Sequence, residues 1–363
     1  MGELLGLGLS HYPGPIVPVE YWPRHLRTQV ERGRLAADLF EDHGRWPAPM
    51  QAEWGADEGQ AAARAHQAQL VAGYRRLRQA LDEFAPDLVV MWGDDQYENF
   101  RKDCIPAFCV FILDEATCQP LLDGERQAFR TSANVWDLPP DTTIRVPGHR
   151  QAANELTRAL LAEDFDVAYA YQTKHPRGIS HSFANAILYL DYDQRGFDYP
   201  LVPFHVNCYG NQLMTTSANI VGEGIGELSP PSPSPRRCFE IGRATARFFA
   251  ASPWRVALVA SSSWSHGSLT PKHQRLYPDV ATDRARYEEL RQGRFAEWAR
   301  LDVHELEDCG QHEFLNWVCL AGAMAEAGQQ PSYTDLAQTY IFNSTKCFAI
   351  FPPRSSAEPV AAR

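Results

Sequence analysis

The chain has 363 residues, 44% of them hydrophobic and 22% charged, with a formal net charge of −11 at pH 7. This is the composition of a globular protein of one large or two small domains. The acidic balance speaks against nucleic acid or an anionic membrane as partner, and no apolar run reaches the ~20 residues of a membrane span.

Residues 4–9 (L-L-G-L-G-L) read as a buried strand, broken at Pro13 and Gly14 just after His11. Residues 18–39 read as an amphipathic helix and 46–54 as a proline-containing connection. Residues 57–84 form a long helix, because Ala63, Leu70, Tyr74, Leu77 and Leu81 recur at helical spacing. Pro86 ends it. Residues 88–92 (L-V-V-M-W) are too short and too β-branched for a helix. They make a strand that opens at Gly93 into Asp94, Asp95, Gln96, Tyr97, Glu98 and Asn99. Another strand is expected at 105–113, followed by a polar, proline-punctuated excursion over 119–150.

A helix at 151–163 and a strand at 165–171 lead into the polar loop 172–181, with Lys174, His175, Arg177 and His181. The next helix covers 182–190. His181 stands at its amino end, where anions and neutral imidazole are favoured. The strand within 199–209 carries His205 and Asn207 near its end. The Pro/Ser-rich stretch 228–235 is read as a loop, and a helix follows at 236–251. The strand 255–261 stops shortly before Ser265, His266 and Gly267. Residues 280–301 are helical and charged. His312 and Glu313 precede an apolar helix at 317–324, and 347–351 is the last strand.

This alternation predicts a single catalytic α/β domain over residues 1–330, a three-layer αβα arrangement around a central mixed sheet. Residues 331–363 are expected to be a C-terminal extension with a flexible tail. The 8 cysteines show no zinc-type spacing. With no export signal apparent, reduced thiols in the cytoplasm are the expectation.

Polar residues gather at the strand ends: His11, Asp94 to Gln96, His181, His205 and His266, joined by Glu313. Two His and a carboxylate on one face of a metal suit non-haem Fe(II) oxygenases. His205 reads as a buried strand-end histidine, His312 as a neighbour of the site, and Cys208 and Cys309 as core. Lys174, His175 and Arg177 form a basic group that is either a solvated turn or an anchor for an anionic substrate. These three, with His205, are the substrate-side candidates.

The motifs S-H-Y-P-G (10–14), G-D-D-Q-Y-E-N-F (93–100), S-H-S (180–182), V-N-C-Y (206–209), R-R-C-F-E-I-G-R (236–243), S-W-S-H-G (263–267) and H-E-F-L-N-W (312–317) occur in this order. Together they resemble the class III extradiol ring-cleavage dioxygenases, of the protocatechuate 4,5-dioxygenase β-subunit type. The resemblance implies metal ligands at His11, Gln96 and Glu313, and acid/base roles for His266 and His181. It implies Fe(II), with Mn(II) or another divalent metal as alternative, and a small aromatic diol and O2 as reactants. A homo-oligomer is implied too. The sequence departs from the family pattern in two places. Gln96 stands where the pattern has a second His ligand, and Ser180 and Ser182 flank a histidine that the family sets in D-H-G. A weaker amide ligand is one consequence; Asp94 or Asp95 as ligand is the other. The competing readings are a metal-dependent hydrolase or lyase in the same pocket, and a non-catalytic member with a lost metal site.

Overall fold

The computed structural model describes residues 2–96, 98–101, 103–122, 129–174, 178–209 and 230–354. In chain order its strands are β1 (Glu3–Leu9), β2 (Leu88–Gly93), β3 (Phe108–Phe111), β4 (Glu115–Cys118), β5 (Ile144–Pro147), β6 (Ala168–Ala170), β7 (Leu201–Val206), β8 (Arg255–Ser261), β9 (Tyr333–Ala337) and β10 (Lys346–Phe351). Eight of them form one mixed sheet in the order β6-β3-β7-β2-β8-β1-β10-β9, and β4 and β5 pair apart from it. The central strands β7, β2, β8 and β1 are mutually parallel, so their carboxyl ends open on one side of the sheet. That is where ligands collect in α/β sheets. These strands are apolar almost without interruption because helices cover both faces.

The helices are α1 (Arg24–Glu31), α2 (Ala37–Glu41), α3 (Ala48–Trp54), α4 (Gln60–Phe84), α5 (Arg150–Ala162), α6 (His181–Leu190), α7 (Pro235–Ala251), α8 (Val280–Arg291), α9 (Val303–Asp308) and α10 (Leu315–Ala327). On one face of the sheet, α4 and α6 pack Leu70, Tyr74, Leu77, Phe183 and Ile187 against Leu5, Leu7 and Leu9 of β1. On the other face, α5, α7 and α10 pack on Val90, Trp92 and Leu258. Burying each such side chain contributes about 1.5–3 kcal/mol. Tertiary burial therefore holds α4 in place more than helix propensity does. The three-layer αβα architecture agrees with the expectation.

Several local expectations need correction. The helix expected over 18–39 is broken into α1 and α2, because the chain turns at Gly33, whose φ is +67°. The connection at 46–54 contains α3, whose proline lies in the first turn and removes no helical hydrogen bond. The strands expected at 105–113 and 165–171 shorten to β3 and β6. The stretch expected as a C-terminal extension from 331 supplies β9 and β10, and β10 pairs antiparallel with β1. Its half-buried edge strand, which includes Asp335, lacks the apolar run that revealed the others. The expected tail lies outside the described residues from 355 onward. No helix among the described residues is long and apolar enough to cross a membrane.

Candidate metal centre

The ends of β1, β2 and β8 bring three segments to one place. β1 continues through Ser10 to His11. Its register with β8 pairs Leu9 with Ser261, which sets the His11 ring against that residue, Nδ1 lying 2.9 Å from Ser261 O. Tyr74 of α4 donates to Ser10 O, and Asn185 of α6 donates to His11 O, each at 3.0 Å. β8 continues through buried serines to His266, whose N–H donates to Gly310 O at 2.9 Å. Gly310 has φ +71°, and a Cβ there would lie 2.6 Å from His266 O, so this contact requires glycine. Glu313 stands in the short turn His312–Phe314 that leads into α10, and His181 is the first residue of α6.

The side chains converge. His11 Nε2 is 3.3 Å from Glu313 Oε2 and 3.8 Å from Asp94 Oδ1. His266 Nε2 is 3.5 Å from Glu313 Oε2. The rings of His11 and His181 meet edge to face, centroids 4.9 Å apart. Each of the three imidazoles has Nδ1 against an oxygen that only accepts: Ser261 O, Trp264 O and the Glu98 carboxylate at 2.9, 3.0 and 2.8 Å. A neutral ring so placed keeps its proton on Nδ1 and carries the lone pair on Nε2. His11, Asp94 and His181 each offer a ligand atom within 4.8 Å of the others. Glu313 Oε2 and Asp94 Oδ2 are buried with no hydrogen-bond donor among the described residues. Carboxylate oxygens and imidazole lone pairs that face one another in a buried site are the donor set a divalent cation takes.

The protonation tendencies express the same crowding. Burial opposes charge on His11, but Glu313 and Asp94 outweigh it and raise the pKa. Burial, and then repulsion from Glu313, pushes Asp94 up to about 7. Burial works against the Glu313 carboxylate as well, yet His266 and His11 hold its pKa below the usual range. Burial lowers His266, which favours the neutral ring.

The acidic stretch after β2 divides its work. Asp94 Oδ1 accepts from Asn316 Nδ2 at 3.2 Å, and Asp94 O accepts from the hydroxyls of Ser180 and Ser182 at 2.7 and 2.6 Å. Asp95 accepts the backbone N–H groups of Glu98, Asn99 and Phe100 at 2.8, 2.9 and 3.4 Å, so it caps the turn. The amide nitrogen of Gln96 donates to the Tyr209 hydroxyl at 2.9 Å and lies 3.4 Å from Glu313 Oε1. Tyr209 in turn donates its hydroxyl proton to that same oxygen.

Thus His11, Asp94, Gln96, His181, His266 and Glu313 come together. Lys174 is instead at the surface, ion-paired with Asp103. His175 and Arg177 lie outside the described residues. His205 packs on the Phe100 ring, centroids 4.5 Å apart, and burial pushes its pKa down to about 3. His312 stacks on Tyr209 at 5.9 Å, and burial lowers it to about 4.

Four supporting residues escaped the sequence reading. Glu98 binds both Nδ1 and the backbone N–H of His181. Tyr209 and Asn316 hold the carboxylates of Glu313 and Asp94. Asp283 on α8 accepts from Ser265 N at 3.2 Å and from Gln311 Nε2 at 2.7 Å, tying the His266 segment to the Glu313 segment. The one signal for Asp283 is its burial inside a charged helix, which spacing does not reveal.

The family model described as the catalytic LigB subunit of aromatic ring-opening dioxygenase matches residues 55–348. That span holds Asp94, Gln96, His181, His266 and Glu313, and His11 precedes it. A 2,3-dihydroxyphenylpropionate/2,3-dihydroxicinnamic acid 1,2-dioxygenase of Photorhabdus laumondii is 25% identical over 207 residues, covering 57% of this chain and 51% of that protein. A protein of the same name from Paraburkholderia phymatum is 26% identical over 306 residues, 72% of this chain and 82% of the relative. A third, from Pseudomonas putida, is 27% identical over 199 residues, 54% and 49% of the two chains. The chain therefore matches about half the length of two of these three curated relatives.

Proposed function

The chain belongs to the family of catalytic LigB subunits of aromatic ring-opening dioxygenases, and on that premise we propose that it cleaves the ring of a small aromatic diol with O2 at a metal centre between His11 and Glu313. The observation that best supports this reading is the inward convergence of His11, His181 and His266 on two buried carboxylates, each with one oxygen that has no donor among the described residues. When bound, a divalent metal would bring vicinal diol oxygens and O2 side by side, Fe(II) being the first choice and Mn(II) the alternative.

The chain's own residues handle protons and orientation. His181 Nε2 takes the proton of a diol hydroxyl beside it, and Glu98 on the opposite nitrogen stabilises the imidazolium that results. His266, kept neutral by burial, passes a proton through Nε2, because Nδ1 is committed to Trp264 O. Tyr209 fixes the rotamer of Glu313. The relatives' names point to catechols bearing an acid side chain as the first compounds to test. On this reading Lys174, His175 and Arg177 are the candidates to meet that acid. A cytoplasmic homo-oligomer belongs to the same reading and comes with the family resemblance alone.

The test is O2 uptake by protein purified and loaded with Fe(II) without air, against a catechol panel led by 2,3-dihydroxyphenylpropionate. The expected result is one O2 consumed per diol, with a coloured ring-opened product. Glu313→Ala removes both metal and uptake. Metal-loaded protein that binds catechols yet consumes no O2 with any of them overturns the reading and favours a hydrolase or lyase.

A further inference from the structure

We infer that Asp94, and not Gln96, is the third protein ligand of the metal, giving a set of His11, Asp94 and Glu313 with two carboxylates. This rests on the metal-dependent reading above. It is tested by metal content, so the ligand set and the ring-cleavage reaction can fail separately.

Three neighbouring residues compete for the position. Asp95 is saturated by three backbone N–H groups, and its oxygens are spent on the turn. Gln96 turns the nitrogen of its amide toward Glu313, and an N–H donor does not bind a cation. Reversing the amide would set its oxygen against the Tyr209 hydroxyl, whose proton is already given to Glu313, and against Glu313 Oε1 itself. That exchange replaces two attractive contacts with two repulsive ones.

Asp94 meets the requirements that the others miss. It is fully buried, its Oδ1 is 3.8 Å from His11 Nε2, and its Oδ2 has no donor among the described residues. No Lys or Arg among the described residues forms an ion pair with Asp94 or Glu313. A bound dication would neutralise these two buried carboxylates, whereas one carboxylate with two neutral ligands would leave a net positive charge.

The support around Asp94 is specific as well. Asn316 holds Oδ1, and the hydroxyls of Ser180 and Ser182 both grip its backbone carbonyl. The two departures from the family pattern therefore meet here. Where the pattern's ligand is replaced by Gln96, the serines that replace its Asp and Gly fix the neighbouring carboxylate two positions earlier. A ligand set richer in hard oxygen donors moves the site's preference toward Mn(II), relative to metals that favour imidazole.

The experiment measures Mn(II) affinity and total bound metal for the full chain and for Asp94→Asn, Asp95→Asn and Gln96→Ala. Loss of an outer-shell partner alone costs roughly 10–100-fold in metal affinity. Asp94→Asn should therefore weaken Mn(II) binding by more than ~100-fold, while Gln96→Ala and Asp95→Asn stay within the outer-shell range of ~10–100-fold or below it. Circular dichroism of the metal-free variants checks folding. If Asp94→Asn does not fold, X-ray absorption of the Mn(II)-loaded wild type reads the same point and should show one imidazole ligand. Two imidazoles, or a loss in Gln96→Ala as large as that in Asp94→Asn, overturns the inference.

Discussion

Glu98→Gln is the change that most sharply probes proton transfer. In the wild type the Glu98 carboxylate accepts from His181 Nδ1 at 2.8 Å and from the His181 backbone N–H at 3.0 Å. These bonds hold the ring with its proton outward and the lone pair of Nε2 inward. A glutamine can still accept from the backbone, but its NH₂ group then faces Nδ1. The neutral ring answers by moving its proton to Nε2 and can no longer act there as a base. A positioned acid or base contributes roughly 10²–10⁴-fold to rate, which corresponds to about 2.7–5.4 kcal/mol of barrier. The cost in stability is smaller. Glu98 is 30% exposed, so losing its charge costs about 1.5 kcal/mol, the low end for a bond to a charged group. O2-uptake kinetics with the best diol, alongside metal analysis, should show kcat reduced by that factor, metal content unchanged, and a flattened pH profile. Turnover near wild type in the metal-loaded variant would show that His181 is not the base. Loss of metal would show that the pair serves the metal centre instead.

His266→Phe should lower kcat by roughly 10²–10⁴-fold with metal content intact; full activity on the best diol would remove His266 from proton transfer. Burial raises Asp283 to about 6, so the folded state holds that proton more tightly than an unfolded aspartate, whose pKa is about 3.9. Its contribution to stability thus falls as pH rises from about 4 through 6 and is flat above, a total of roughly 3 kcal/mol. Asp283→Asn should remove that slope, read as the difference between wild type and variant in urea unfolding of the metal-free protein; identical slopes would refute it. Lys346 is fully buried, donates to Phe342 O at 2.9 Å and lies 3.7 Å from the Tyr12 ring centroid, while burial holds its pKa well down. Lys346→Met, similar in length but without the polar head, should raise stability by about 1–3 kcal/mol; an unchanged or lower melting temperature would mean that the ammonium is needed where it stands.

The central strands were legible because burial on both faces leaves a continuous apolar run, as at 88–92 and 255–261. β9 was not, since an edge strand with half-buried residues can carry Asp335 and Thr334. The site histidines were legible as places, because each follows an apolar segment: His11 after β1 and His266 after β8. The distribution of roles within Asp94, Asp95 and Gln96 was not. Three adjacent residues differ only in which way the turn after Gly93 aims them, and that depends on Ser180, Ser182 and Asn316 arriving from far along the chain. Glu98 and Asp283 were hidden for the same reason, since their partners are set by where elements cross.

β1 lies between β8 and β10, with His11 at its end. Both neighbours follow it by most of the sequence, so β1 is made well before the strands it pairs with and is among the last of the described strands to find its place. Its pairings close very long loops, whose entropic cost must be met before their contacts form. On the proposed ligand set, the metal site cannot assemble until β8 and the Glu313 turn have been made, because His11 is placed by β1. A chain halted before β8 would present the apolar run at 4–9 without a partner, a surface prone to self-association.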